Sequence, residues 1–199
     1  MALVTKGYAG YVLASSAGYF KGCTDRAGQL LCSLCNVRKA MNRVTILVDV
    51  QNVYYTSREV FGRNFDYNAF WQQVTAGRTV VKAIAYAIDR GDEKQRQFQN
   101  ILRAIGFEVK LKPYIQRADG SAKGDWDVGI TLDAIEYGQH SDVLVLVSGD
   151  GDFGLLADKL INQYQTEVEV YGVPGLTALA LINAASRFIA IDESLLLQR

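Results

Sequence analysis

The 199-residue sequence is poor in histidine, with His140 alone, and its three cysteines, Cys23, Cys32 and Cys35, all fall within the first 40 residues. A lone histidine removes Ser/His/Asp and Cys/His catalysis, because His140 lies outside every acidic motif and reads as an exposed helix-end residue. No apolar run approaches the roughly 18 residues that a spanning helix needs, so a non-membrane protein is expected. The segment YAGYVLASSAGYF, after Lys6, is broken by Gly and Ser and makes a poor export signal. An odd number of cysteines without such a signal points to a reducing, cytoplasmic setting. Cys32-x-x-Cys35 with Cys23 would give a zinc ion three thiolates, but no fourth ligand is at hand. Repeats, low-complexity tracts and interdomain linkers are also missing.

Net charge is zero as well, with 21 basic and 21 acidic side chains, and by itself predicts no partner. The zero hides an asymmetry: residues 1–40 carry five Lys/Arg and one Asp, which leaves the rest of the chain mildly acidic. Any nucleic-acid contact in that body must use local patches. Met41 leads directly into the first strong strand pattern. The reading is therefore an N-terminal extension over 1–40, poorly ordered or foreign to the natural protein, followed by one domain over 41–199.

From residue 44 onward, short β-rich apolar runs alternate with helical patterns. Strands are expected at 44–48, 79–88, 107–115, 143–147, 167–171 and 188–191. Helices are expected from about 53, from Asp66 as N-cap, and over about 92–105, 126–137, 153–163 and 176–186. Such alternation implies an α/β fold, a three-layer α/β/α sandwich with a mostly parallel central sheet. The very apolar runs VTILV and VLVLV should be its central strands. Ligands of such sheets bind beyond the carboxyl ends of the strands, where the strand order reverses. Asp49 and Asp150 stand at or just beyond those ends.

The stretch VLVLVSGDGDFG (143–154) sets Gly149, Gly151 and Gly154 at the G-x-G-x-x-G spacing of a dinucleotide-binding turn, and Glu169 could imitate the ribose-binding acid. Asp150 and Asp152 oppose that reading. Unit charges about 4 Å apart repel by about 4 kcal/mol at an effective dielectric near 20. Helix capping accounts for one aspartate, with Asp152 the natural choice, but not for the convergence of Asp49 and Asp150. Gathered carboxylates raise each other's pKa or require a cation, and hard oxygen donors suit Mg²⁺ or Mn²⁺. A third acidic group lies in KGDWDVGITLDAIEYG (123–138). Asp127 ranks above Asp125 and Asp133 there, because Asp133 sits about 120° round an ideal helix from Asp127.

The set V-D-V-Q-N (Asp49 with Asn52), K-G-D-W-D-V with Asp133 beyond, and S-G-D-G-D-F resembles the NYN-domain family of PIN-like ribonucleases, especially its LabA-like branch. The resemblance runs from about Val44 to Leu196. It implies a PIN-like (Rossmann-like) α/β/α sandwich, an acidic site dependent on Mg²⁺ or Mn²⁺, and RNA as substrate. By motif, Asp49, Asn52, Asp127, Asp150 and Asp152 take the catalytic roles, the aspartates as metal ligands, with Asp125 and Asp133 as outer candidates. The sequence departs from the branch at Trp126, where a small or aliphatic residue is commoner, and at Asp125.

The expected reaction is phosphodiester hydrolysis of single-stranded RNA. The alternatives are a regulatory RNA- or protein-binding module that keeps the pocket without turnover, and a phosphatase of small esters. Ser148 could bond a carboxylate. Residues 90–123 carry eight Lys/Arg against four acids, and Lys123, which abuts the acidic motif, is the best phosphate contact. Tyr54, Tyr55 and Trp126 could stack unpaired bases, with core packing expected for at least two of them. No resident organic cofactor is expected, and the oligomeric state stays open, a homodimer included.

Overall fold

The computed structural model describes residues 42–198 apart from 90, 114, 117–121 and 124, and only the backbone at 115–116 and 122–123. The cysteines, Met41, Arg90, Arg117, the Asp119-Gly120 and Gly124 turn and the side chain of Lys123 lie outside the described residues.

In chain order the elements are β1 Arg43–Asp49, α1 Val50–Phe61, α2 Tyr67–Thr75, β2 Thr79–Asp89, α3 Glu93–Ile105 and β3 Glu108–Pro113. There follow a two-residue hairpin, β4 Ile115–Gln116 with β5 Ala122–Lys123, and then α4 Asp127–Gly138 and β6 Val143–Val147. A 3₁₀ turn Gly151–Phe153 leads into α5 Gly154–Tyr164, and β7 Glu167–Gly172, α6 Leu179–Ala184, β8 Arg187–Ala190 and a 3₁₀ turn Glu193–Leu195 complete the series. The central sheet has the order β3-β2-β1-β6-β7-β8, and every pairing in it is parallel.

That order reverses between β1 and β6, the two most apolar strands. All five residues of β6 are buried, as are Val44–Val48 of β1. Alternation along the strands divides the core between two helix layers. Val44, Ile46 and Val48 pack with Val53 of α1, Phe70 of α2 and Leu102 of α3. Leu47, Leu144 and Leu146 pack with Ile130 of α4, Leu160 of α5 and Leu181 of α6. Each such side chain removed from water contributes about 1.5–3 kcal/mol. The result is the α/β/α sandwich that the alternation of patterns implies.

Several boundaries differ from the sequence expectation, each for a local reason. The first helix starts at Val50 rather than Val53 because Asp49 caps it, its Oδ1 accepting the Asn52 N–H at 3.0 Å. Asp66 caps α2 as expected, accepting from Asn68 and Ala69. Strand β3 stops at Pro113, and Ile115 belongs to the separate hairpin. Helix α6 is confined to Leu179–Ala184, since the preceding residues are drawn against the turn after β6. On α3, apolar Ile101 faces solvent while Gln99 and Leu102 are buried. No helix among the described residues is long and apolar enough to cross a membrane.

Candidate functional site

At the switch between β1 and β6 the chain leaves each strand through a short acidic turn. Asp49 ends β1 and caps α1. Asp150 follows β6 and caps the 3₁₀ turn, its Oδ1 accepting the Asp152 N–H at 3.0 Å. The capping aspartate after β6 is therefore Asp150, not Asp152, and Asp152 is solvent-exposed. Each cap bond occupies one lobe of a carboxylate that offers about four acceptor sites, so capping leaves both groups free to accept more.

The two turns are tied together. Asn52 Oδ1 accepts the Gly149 N–H at 2.9 Å, which docks the first turn of α1 on the loop after β6. The Ser148 hydroxyl accepts the Asp150 N–H at 3.2 Å, so it braces the loop backbone rather than the carboxylate expected for it. The glycines have a packing reason. A Cβ on Gly149 would lie 2.8 Å from the Leu176 carbonyl, and one on Gly151 3.0 Å from the Ala178 methyl. The Ala178 N–H also donates to the Gly149 carbonyl at 2.9 Å. The segment before α6 fills the space against these glycines. Glu169, the would-be ribose ligand, is buried in mid-strand and held by Arg78 in a two-pronged ion pair at 2.9 and 3.0 Å.

Above these turns lies a cavity of about 390 Å³ that Asp49, Asn52, Asp125, Trp126, Asp127 and Asp150 line, together with Gln51, Tyr55 and Thr56. Burial lifts the Asp49 carboxyl to about 6; the Asn52 N–H pulls it down, and the charges of Asp127 and Asp150 add to the rise. Asp127 is raised by burial and then by Asp150, Asp125 and Asp152, with Lys112 opposing. The neighbouring carboxylates thus lie close enough to disfavour ionisation of Asp49 and Asp127.

Trp126 stands just before α4 and holds its start in place. Its indole N–H donates to the Ala87 carbonyl at 2.9 Å, and its ring packs against Tyr86 at 5.3 Å between centroids. Lys112, at the carboxyl end of β3, reaches over the Trp126 ring at 4.8 Å and donates to the Asp125 carbonyl at 2.6 Å. Lys112 is therefore the described cation beside the acidic edge. It stood in the basic run of the sequence but was not singled out, since nothing in that run distinguishes one strand-end lysine from another.

Asp133, an outer candidate by sequence, is not brought to the cavity. It is buried about one and two-thirds turns along α4, bonded by Tyr86 Oη at 2.6 Å and by Lys110 Nζ at 2.8 and 2.9 Å. Tyr54 and Tyr55 are exposed, at 45% and 51%, so the core packing expected for such aromatics holds for Trp126 only.

Among the described residues the donor set facing the cavity is made of oxygens, with no thiolate or imidazole, and so suits a hard divalent cation. Among the described residues no group of three or more acidic, His or Cys side chains stands ready to hold an ion. Mg²⁺ keeps several waters and commonly takes only one or two carboxylates, so these residues fit a hydrated ion without a closed cage.

Two proteins of known record resemble the chain. The Low amplitude and bright protein LabA of Synechococcus elongatus is 28% identical over 162 residues, spanning 76% of this chain and 85% of that one. The crystal structure of a Vibrio parahaemolyticus protein of unknown function is 60% identical, with a TM-score of 0.76, covering 79% of this chain and 98% of that chain. The model of the NYN domain matches residues 43–192, and with the parallel sandwich and the acidic switch point already described, the chain belongs to the NYN domain family.

Proposed function

We propose that the protein is a metal-dependent ribonuclease that hydrolyses phosphodiester bonds of single-stranded RNA at the acidic cavity. One observation carries the reading: Asp49, Asp127 and Asp150, from three separate turns, line a single cavity at the switch point, where the charge of Asp150 adds to the rise of the other two. A fold that needed only helix caps would have no reason to gather them.

In this reading Asp49 and Asp150 would hold Mg²⁺ or Mn²⁺ directly, with Asp127 as a further ligand, direct or through water. When bound, the ion would supply an acidified water and stabilise charge on the leaving oxygen. Asp152 adds negative field from outside the cavity, and Asn52 keeps the two turns in register through Gly149. Asp125 lies on the rim, where its carbonyl is held by Lys112. Lys112 offsets part of the acidic field and is better placed than the sequence suggested to meet a phosphate. Lys110 is committed to Asp133.

A module that binds RNA or protein without turnover is the competing reading. It is favoured by the lack, among the described residues, of a ready three-ligand group. The decisive experiment is a chelator-sensitive cleavage assay on long RNA, short single-stranded DNA and a generic phosphate ester. The ribonuclease reading expects RNA cleavage with Mn²⁺ or Mg²⁺ that Asp49→Asn and Asp150→Asn each abolish. Cleavage undiminished in both variants refutes this site, and no cleavage of any RNA by the parent leaves the binding module.

A further inference from the structure

We propose that Tyr55 and Trp126 form the two walls of a subsite for one unpaired nucleobase, which seats a single strand with its backbone over the carboxylates. The inference deepens the phosphodiester reading and rests on it for the identity of the ligand.

Tyr55 is the odd residue of α1. The helix buries Val50, Val53 and Ser57 against the sheet, while Tyr55 leaves half of its surface in water and yet lines the cavity. An aromatic ring so placed gives nothing to the core. Tyr54 meets it edge-on at 5.4 Å, and the Arg58 guanidinium lies 5.8 Å from the Tyr54 ring centroid.

Trp126 comes from the opposite helix layer. Its indole is held by the Ala87 carbonyl and by Tyr86, so the ring is fixed before any ligand arrives, and a base seated on it takes the place of the Lys112 ammonium that lies over the ring at 4.8 Å. Because α1 and α4 cover opposite faces of the sheet, the two aromatics approach the cavity from its two sides. Preorganised walls reduce the ordering cost of binding.

The lining decides which flat ligand fits. Among the described residues no aliphatic side chain lines the cavity, whereas Gln51 and Asn52 bring amides and Thr56 a hydroxyl. Amides offer both donors and acceptors to the edge of a heteroaromatic ring, and a hydrocarbon ligand would strand them. The volume of about 390 Å³ lies near the lower end of small-molecule sites, roughly 300–1,000 Å³, which suits one base with its sugar and not a duplex. Carboxylates repel a bare phosphate backbone, so a stacked base supplies an anchor that does not depend on charge.

The test uses the full chain and a short single-stranded RNA with 2-aminopurine at one position, against the same strand abasic at that position, with chelator and with Mn²⁺. Stacking should quench the fluorescence. Tyr55→Phe should bind like the parent, and Tyr55→Leu about five- to a hundredfold more weakly. The abasic strand should weaken the parent by a similar factor and Tyr55→Leu no further. Trp126→Phe keeps a ring if Trp126→Leu fails to fold, and should retain most of the quench. Undiminished binding by a folded Tyr55→Leu, an equal abasic loss in parent and variant, or no binding by the parent overturns the subsite. RNA cleavage with unchanged KM in Tyr55→Leu overturns the subsite while the nuclease reading stands. Base-dependent quenching without cleavage upholds the subsite while the nuclease reading falls.

Discussion

Asn52 and Gly149, 97 residues apart in sequence, are joined by a single hydrogen bond of 2.9 Å from the Gly149 N–H to the Asn52 side-chain oxygen. Gly149 is buried, so removing the acceptor strands a backbone donor at a cost of about 1–3 kcal/mol. Asn52→Ala should lower stability by that order in urea unfolding. Gly149→Ala should do at least as much, because its Cβ would meet the Leu176 carbonyl at 2.8 Å. A neutral result for both would mean that the two turns hold together without this bond.

The Asp49 carboxyl gives a pH dependence of definite sign. Its folded pKa of about 6 lies above the ordinary 3.8, so its contribution favours folding below about pH 4 and is lost as pH rises through about 6. In chelator, Asp49→Asn should therefore be more stable than the parent at pH 8, by about 1–3 kcal/mol, and lose that advantage by pH 4. Asn retains the helix cap, which isolates the charge. A gain independent of pH would assign the effect to something other than ionisation.

Divalent cations should reverse that penalty. A ligand that binds only the folded state stabilises it by mass action, so millimolar Mn²⁺ should raise the melting temperature of the parent at pH 7.5. The increase should disappear in Asp150→Asn and shrink in Asp127→Asn. An unaltered response in Asp150→Asn would locate the ion elsewhere.

Lys112 opposes the rise at Asp127. Lys112→Met removes that charge and the bond to the Asp125 carbonyl, so Asp127 should ionise at higher pH. The pH at which the Mn²⁺ stabilisation is half developed should move upward, and added salt should shrink the difference because both groups are partly exposed. An unmoved midpoint would make Lys112 a bystander.

Arg78 and Glu169 test whether the acid of β7 is structural. Glu169 is buried and receives both arms of the guanidinium, with Arg187 3.7 Å away. Arg78→Met should destabilise by about 3–5 kcal/mol, since it leaves a buried carboxylate short of its main partner. The melting temperature of that variant, and the unchanged response of the parent to dinucleotides, would check the assignment.

Much of the architecture was legible because it follows from local pattern. Apolar runs at β1 and β6 require cover on both faces, and their alternation with helical stripes leaves a parallel sandwich as the solution. Asp49 and Asp150 could be set on one edge from strand ends alone, and the ordered acidic motifs carried the family. What sequence could not decide was direction in space. Whether Asp150 or Asp152 caps depends on one turn of backbone, and only the folded turn turns Asp152 outward. Helix period alone turns Asp133 away from Asp127, but its partners Lys110 and Tyr86 are brought over by β3 and β2. The Asn52–Gly149 bond, the Arg78 clamp on Glu169 and the reach of Lys112 to Trp126 and Asp125 all join segments distant in sequence. Such contacts depend on strand order and register, which no local preference encodes, and the packing of two helix layers on one sheet is what selects them.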